Sequence, residues 1–137
     1  MNLEVKSVDS RQAPAIERAV AAFAQTPNGG MIIAVSASAL DHKDLIVKLA
    51  ARHQLPTIYG YRVFVDGGGL MSYATDIIAQ YKRAASYVDR ILKGEKPGNL
   101  PVQHPTKYEL VLNLKAAKAI GLPVPPSLLS RADVMIE

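Results

Sequence analysis

Hydroxyl and aromatic side chains that can bind a small molecule lie at the ends of three apolar segments of this sequence. Ser36 and Ser38 come after the run MIIAV. Tyr59 lies in the segment TIYGY, and Ser72 and Tyr73 close the run GGGLMSY. Serine hydroxyls donate and accept hydrogen bonds, and tyrosine rings contact flat apolar groups, so the pattern favours capture of a small polar or aromatic molecule. An alternative stays open, in which the serines cap helices and the tyrosines are half-buried core residues.

The residue sets that common enzyme classes require are missing from the sequence. No serine lies in a GxSxG motif, and no GxxxxGK string is present. Gly67 and Gly69 begin a GxGxxG pattern, but position 72 is serine. There is no cysteine, and the three histidines match no metal-binding spacing; they are His42, His53 and His104. The sequence therefore predicts a protein without enzymatic activity, metal or cofactor.

The charge of the chain gives no sign of a nucleic-acid partner. The net charge is +4, from 16 basic and 12 acidic residues. The basic residues are scattered, and no stacking aromatic residues alternate with them, which is typical of a solvated surface. We therefore expect no nucleic-acid binding. The N-terminal segment MNLEVKSVDS carries charges where an export signal has an apolar run, so no signal peptide is predicted in this chain.

The first half of the sequence alternates between strand and helix patterns. Segment 3–8, with Leu3, Val5 and Val8, predicts a short strand. Apolar residues at helical spacing predict a helix over 11–25. The continuous apolar run MIIAV predicts a fully buried parallel strand. Asp41 is the predicted N-cap of the next helix. The segment TIYGY is the strand predicted after that helix. This alternation favours an α/β fold with a parallel sheet flanked by helices.

The second half opens with a strand, LMSYA, and a long amphipathic helix over 76–92. Residues 95–107 contain three prolines and a glycine, which predicts an irregular connection. The remaining predicted elements are a strand YELVLNL, a helix over 114–120, and a helical turn that starts at Pro126 or Ser127 and carries residues as far as Val134. Since ligands bind beyond the carboxyl ends of parallel strands, we expect the serines and tyrosines named above to face a single crevice.

Several phrases of the sequence resemble one family of proteins. They are GGLMSY, AASYVDRILKGEKPGNLPVQ, PTKYELVLNLKAAKAIGL and PPSLLSRAD, all within residues 55–137. These phrases resemble the C-terminal half of ABC transporter substrate-binding proteins of the tryptophan/tyrosine-uptake type. The order of elements in residues 1–54 fits the preceding part of the same lobe. The family motif GGLMSY usually continues with glycine, where this chain has Ala74.

The resemblance implies a periplasmic-binding-protein fold of type I, in which two α/β lobes hold a ligand in the cleft between them. Family members are longer than this chain, so 1–137 is expected to be a single truncated unit that lacks most of the N-terminal lobe. The implied divisions are 1–60 for the second-lobe portion, 61–106 for an interlobe crossing strand, long helix and return segment, and 107–137 for the C-terminal strand and helices. The glycines of GGGLMSYATD would then allow a bend and a close backbone approach to the cleft.

The resemblance also implies a function in solute uptake. A periplasmic protein of this type captures a small organic solute, such as an aromatic amino acid, and passes it to an ABC permease. The alternatives are a ligand-sensing lobe of a regulator and a remnant that binds nothing. We expect a homo-oligomer, with segment 61–106 pairing across a dimer, because an apolar surface left by a missing lobe needs a partner. The expected ligand-binding residues are Ser36, Ser38, Tyr59, Gly69, Ser72 and Tyr73.

Overall fold

A sheet of five strands organises the computed structural model, which describes residues 4–137. The strands lie side by side in chain order. They are β1 (Met31–Ile33), β2 (Thr57–Tyr59), β3 (Met71–Thr75), β4 (Tyr108–Asn113) and β5 (Val134–Ile136). The helices are α1 (Ala13–Phe23), α2 (Ala37–Asp41), α3 (Lys43–Arg52), α4 (Arg62–Asp66), α5 (Ile77–Leu92), α6 (Leu114–Ala119) and α7 (Pro126–Leu129), with a short 3-10 turn at Pro97–Asn99.

Three of the four strand pairs are parallel, and β3 pairs with β4 in the antiparallel direction. The antiparallel pair places Thr75 opposite Tyr108, because the chain leaves the sheet after β3 and returns at the same end. The backbone N–H of Asp76 donates to the carbonyl of Lys107 at 3.1 Å and joins the exit to the return. The predicted α/β fold is confirmed, and the sheet is mixed rather than wholly parallel because of this excursion.

One face of the sheet forms the hydrophobic core with α1, α3 and α4. Tyr59, Ser72 and Val111 are neighbours in the strand register on this face, and each is at most 1% exposed. Ile16 of α1 and Phe64 of α4 belong to the same buried cluster. Removing an aliphatic or aromatic side chain from water contributes about 1.5–3 kcal/mol, so this face supplies most of the hydrophobic stabilisation.

The opposite face of the sheet carries an apolar row that is open at both edges. Ile32, Ile58, Met71, Leu112 and Met135 are successive register partners across the five strands. Ile32 is 82% exposed and Met135 is 50% exposed. The prediction of a fully buried strand at MIIAV is therefore wrong, because β1 is an edge strand whose outer side chain meets solvent.

Two predictions near the N-terminus are also wrong. Residues 4–9 form no regular secondary structure, and Val5 is 89% exposed, while Leu3 lies outside the described residues. Asp41 caps no helix: it is the last residue of α2, and the N-cap position of α3 is His42, whose side chain makes no capping hydrogen bond. Ser36 is the N-cap of α2, since its Oγ accepts the Ala39 N–H at 3.1 Å. Ser36 lies three residues after the end of β1, and its hydroxyl satisfies one of the free N–H groups at the start of α2.

Most of the longer predicted elements are present, and three short ones were missed, namely α2, α4 and β5. The helices predicted over 11–25, 76–92 and 114–120 correspond to α1, α5 and α6. Strand β5 occupies Val134–Ile136, where a helical turn was expected to continue. Helix α4 occupies Arg62–Asp66, a five-residue segment too short for helical periodicity to be visible in the sequence.

Candidate functional site

Three serine hydroxyls form a cluster just beyond the carboxyl end of β1. Ser38 Oγ lies 2.6 Å from Ser10 Oγ and 3.4 Å from Ser36 Oγ. Ser36 is also the N-cap of α2, so the capping interpretation is correct for this residue. Both Ser36 and Ser38 are half-buried. The sequence analysis did not place Ser10 in the site, because it lies 28 residues from Ser38 and no local pattern connects them.

Tyr59 and Ser72 lie next to each other in the β2–β3 register, and both are inside the protein. Tyr59 is 1% exposed and Ser72 is fully buried. The Tyr59 ring stacks on Phe64 with a centroid distance of 4.9 Å. Burial raises the pKa of Tyr59 to about 12, so the phenol is neutral at physiological pH. Neither hydroxyl has a hydrogen-bond partner among the described residues, which is uncommon for buried polar groups.

The glycines of GGGLMSY end α4. Gly68 has a φ of +101°, and its N–H donates to the carbonyl of Val65, while the Gly69 N–H donates to the carbonyl of Phe64. This pair of bonds is a Schellman motif, in which the left-handed position favours glycine. A side chain at Gly69 would place its Cβ 2.6 Å from the Tyr59 ring. Gly69 therefore permits the close approach of this loop to Tyr59.

Tyr73 lies on the outer face of the sheet, away from Tyr59 and Ser72. Its ring is 57% exposed and stacks on Tyr108 with a centroid distance of 5.4 Å and an interplanar angle of 19°. Ser72 and Tyr73 point to opposite faces because successive side chains alternate along a strand. The sequence analysis missed Tyr108, since its contact with Tyr73 depends on the antiparallel pairing of β3 with β4.

The six predicted binding residues thus occupy three places. Ser36 and Ser38 lie at the carboxyl edge of the sheet, and Tyr73 lies on the exposed outer face. The other three belong to the buried inner face and the loop that packs on it; they are Tyr59, Gly69 and Ser72.

Ion pairs hold the point where the chain leaves and re-enters the sheet. Lys107 Nζ donates to Asp76 Oδ2 at 2.8 Å, and this contact holds the pKa of Asp76 below its usual range. Asp76 also caps α5, since its Oδ1 accepts the Ala79 N–H at 3.0 Å. A second pair joins Arg62 to Glu109 at 3.1 Å. The first pair therefore joins the exit from β3 to the residue before β4, beside a backbone bond between the same two residues, and the second pair joins α4 to β4.

Two of the cavities in the described part of the chain differ in character. The smaller, of about 80 Å³, lies against Tyr59 and Gly69 between α3 and α6, and is below the roughly 300 Å³ of ordinary ligand pockets. The larger, of about 500 Å³, is an open groove between α5 and residues 95–107, here called the return segment. None of the six predicted binding residues lines the groove.

Residues 4–137 contain no cluster of three acidic, histidine or cysteine side chains suited to a metal ion. Within the same residues, every helix is too short or too polar to span a bilayer.

Comparison with known proteins identifies one family. The sequence matches the family described as ABC transporter substrate binding protein over residues 1–136. No curated protein matches the sequence significantly.

Solved structures of similar fold come from three bacteria. A conserved domain protein from Vibrio cholerae is 24% identical with a TM-score of 0.78, and the match covers 90% of this chain and 42% of that chain. An ABC domain in complex with L-Trp from Streptococcus pneumoniae is 22% identical with a TM-score of 0.78, over 91% of this chain and 43% of that one. A ligand-free, open substrate-binding protein with adhesive properties from Clostridium difficile is 14% identical with a TM-score of 0.66, over 91% and 41%. At these identities the likeness shows the fold, and this chain spans less than half the length of each structure.

Proposed function

Because the chain belongs to the family of ABC transporter substrate-binding proteins, we propose that it forms one wall of a cleft that binds a small organic solute. The solute we favour is an aromatic amino acid, since one structure of similar fold is a complex with L-Trp. The tryptophan/tyrosine-uptake type suggested by the sequence phrases agrees with this choice. The chain spans 42% of the first similar structure, so the complete cleft, the solute and the transport partners all belong to this proposal.

The crossing at the carboxyl edge of the sheet is the observation that supports the proposal most. Helix α5 and the return segment leave after Thr75 and come back at Tyr108, its register partner. Ligands of open α/β sheets bind beyond the carboxyl ends of the strands, so a segment that leaves the sheet there would border a cleft between two lobes. We propose the same division of the chain, into a second-lobe portion over 1–60, an interlobe crossing over 61–106, and a C-terminal portion over 107–137. Within 61–106, the chain would leave the lobe after β3.

Two kinds of role are proposed for the predicted residues. Ser36 and Ser38 offer hydroxyls at the carboxyl edge, and the exposed Tyr73–Tyr108 pair offers a flat apolar surface. Aromatic stacking contributes about 0.5–1.5 kcal/mol beyond the burial of area, which suits an indole or phenol ring. The remaining three residues support the edge from the core and meet a solute only if the loop after α4 moves; they are Tyr59, Gly69 and Ser72.

The proposed partners follow from family membership. A substrate-binding protein delivers its solute to an ABC permease, so we propose a permease as the protein partner and a periplasmic or extracellular location. We propose no catalytic activity, because binding and release of the solute complete this function.

Titration calorimetry of the purified chain with the twenty amino acids tests the proposal. We expect heat of binding with L-Trp, L-Tyr or L-Phe. The variant Tyr73→Ala should weaken that binding roughly tenfold, because a lost ring contact of about 1.4 kcal/mol is a tenfold change in affinity. The matched control is Tyr81→Ala, which removes a tyrosine that is 75% exposed and lies in α5 outside the proposed contacts.

Two results would contradict the proposal. One is the absence of binding to every amino acid by a chain that still unfolds cooperatively; it would favour the alternative of a chain with this fold that binds no solute. That alternative draws its support from the 42% coverage of the first similar structure. The other is an aromatic amino acid that binds Tyr73→Ala and the unchanged chain equally well, which would place the contact elsewhere.

A further inference from the structure

The turn between α1 and β1 contains an asparagine followed directly by a glycine. Asn28 lies in the segment TPNGG and is exposed. Its φ is +60°, in the left-handed region that asparagine tolerates better than most residues with a side chain. Pro27 suits the preceding position of such a turn, because its ring fixes φ near the required value. Asparagine is also a residue that degrades on heating or ageing, above all when glycine follows it.

The packing of this turn requires glycine after Asn28. A Cβ at Gly29 would lie 2.7 Å and 2.8 Å from two carbon atoms of the Phe23 ring. Phe23 is the last residue of α1 and packs against the hydrophobic core, so its ring cannot move aside without loss of that contact. The fold therefore keeps at position 29 the residue whose lack of a side chain leaves its backbone nitrogen most accessible.

The turn lies at the end of the sheet that is remote from the proposed cleft. Strands β1, β2 and β3 are parallel, and the chain leaves for the proposed crossing after Thr75, at the carboxyl end of β3. Asn28 precedes Met31, the first residue of β1, and so lies at the amino end of the same strands. Its exposure therefore does not depend on a second lobe that faces the carboxyl ends.

We propose that Asn28 is a site of spontaneous deamidation through a cyclic succinimide. The backbone nitrogen of Gly29 attacks Cγ of Asn28, and the side-chain nitrogen leaves as ammonia with the proton that the Gly29 nitrogen gives up. Water then adds to one of the two ring carbonyls and breaks its bond to the Gly29 nitrogen, which regains a proton. Opening at Cγ gives aspartate, and opening at the α-carbonyl gives isoaspartate. The reaction consumes one water and releases one ammonia, without a change of oxidation state.

The two products differ in their effect on the turn. Aspartate keeps the length of the backbone and adds a negative charge, since its carboxyl group has a pKa of about 3.9. Isoaspartate sends the main chain through the former side chain and inserts one extra carbon before position 29. The link then no longer fits both of its anchors, which are Gly29 against Phe23 and the Met31 N–H on the carbonyl of Pro56 at 2.9 Å. We expect isoaspartate to lower the thermal midpoint and aspartate to leave it nearly unchanged.

Incubation of the folded chain at mildly alkaline pH, in water labelled with heavy oxygen, tests this inference. Peptide mass spectrometry should find the heavy oxygen at Asn28, because the opening of the ring takes one oxygen atom from water. Asn99 is the internal control: it is exposed, but Leu100 follows it and donates its N–H to the carbonyl of Pro97 at 3.1 Å. We expect Asn28 to convert at least roughly tenfold faster than Asn99, since a Cβ on the next residue hinders the intramolecular attack.

Two variants separate the chemistry from the packing of the turn. Asn28→Gly suits the positive φ and has no side-chain amide, so its thermal midpoint should stay constant during the incubation. Freshly purified Asn28→Asp carries the new charge on a backbone of normal length, so an aged unchanged chain should fall below it in midpoint because of isoaspartate. Equal conversion of Asn28 and Asn99 would overturn the inference, as would heavy oxygen that enters position 28 only after the chain is unfolded in urea.

Discussion

Helices α3 and α5 are both amphipathic, yet the protein buries the apolar side of one and exposes that of the other. Ile46, Leu49 and Ala50 of α3 are buried. No residue of α5 is buried, although α5 is longer and its apolar residues recur as regularly. The two helices differ in what faces them and not in their own pattern. Periodicity therefore predicts that a helix has an apolar side, while the cover of that side comes from residues distant in sequence or from another molecule.

The largest expected effect comes from truncating one isoleucine on each helix. Ile46→Ala opens a cavity beneath α3 and should lower the free energy of unfolding by about 2–5 kcal/mol. Ile78→Ala, at a residue 68% exposed, should change it by less than about 0.5 kcal/mol. Urea denaturation measures both values. Equal losses for the two variants would mean that the side of α5 is already covered in the single chain.

The same contrast between packed and open regions applies to two glycines. A Cβ at Gly69 would lie 2.6 Å from the Tyr59 ring and 2.8 Å from the carbonyl oxygen of Phe64, a backbone atom that cannot move aside easily. Gly69→Ala should therefore destabilise the protein by about 1–3 kcal/mol. Gly98 of the return segment has no atom within 4 Å of the corresponding position, so Gly98→Ala is the matched control. Thermal unfolding distinguishes the two, and a midpoint that Gly69→Ala leaves unchanged would show that the loop after α4 relaxes freely.

The sequence predicts the elements of this fold where their pattern is long and local. Helix α5 is predicted to within one residue at its start and at its observed end because 16 residues carry a regular apolar spacing. Strand β1 is placed correctly but its burial is wrong, since nothing in MIIAV tells whether one face or both are covered. Helices α2 and α4 and strand β5 are missed because segments of five and three residues are too short for either period to show.

The candidate site is less predictable because its contacts join distant residues. The hydroxyl cluster depends on Ser10 and Ser38, which are 28 residues apart. The Tyr73–Tyr108 pair depends on the antiparallel direction of β4. That direction is set by the path of the chain through α5 and the return segment, which the local sequence pattern of β4 does not predict. Whether Ser36, Ser38 and Tyr73 bind a solute together stays a prediction.

The smallest expected effect concerns Asp76, the residue that joins the packed region to α5. The side-chain contact with Lys107, and then the Ala79 N–H, hold the pKa of Asp76 below its usual range in the folded protein. Its stabilisation is thus complete above the unfolded-state pKa of about 3.9 and is lost as the pH falls through the lower folded-state value. Asp76→Asn retains an oxygen that can cap α5 but removes the charge that Lys107 binds.

The difference in thermal midpoint between the unchanged chain and Asp76→Asn should therefore be present at neutral pH and vanish in strong acid. Asp41→Asn removes an exposed carboxylate at the end of α2 and serves as the control for net charge. If the Asp76→Asn difference persisted in acid, the charge of Asp76 would not be what stabilises the junction. The backbone bond from Asp76 to Lys107 would then hold the exit and return strands together without help from the ion pair.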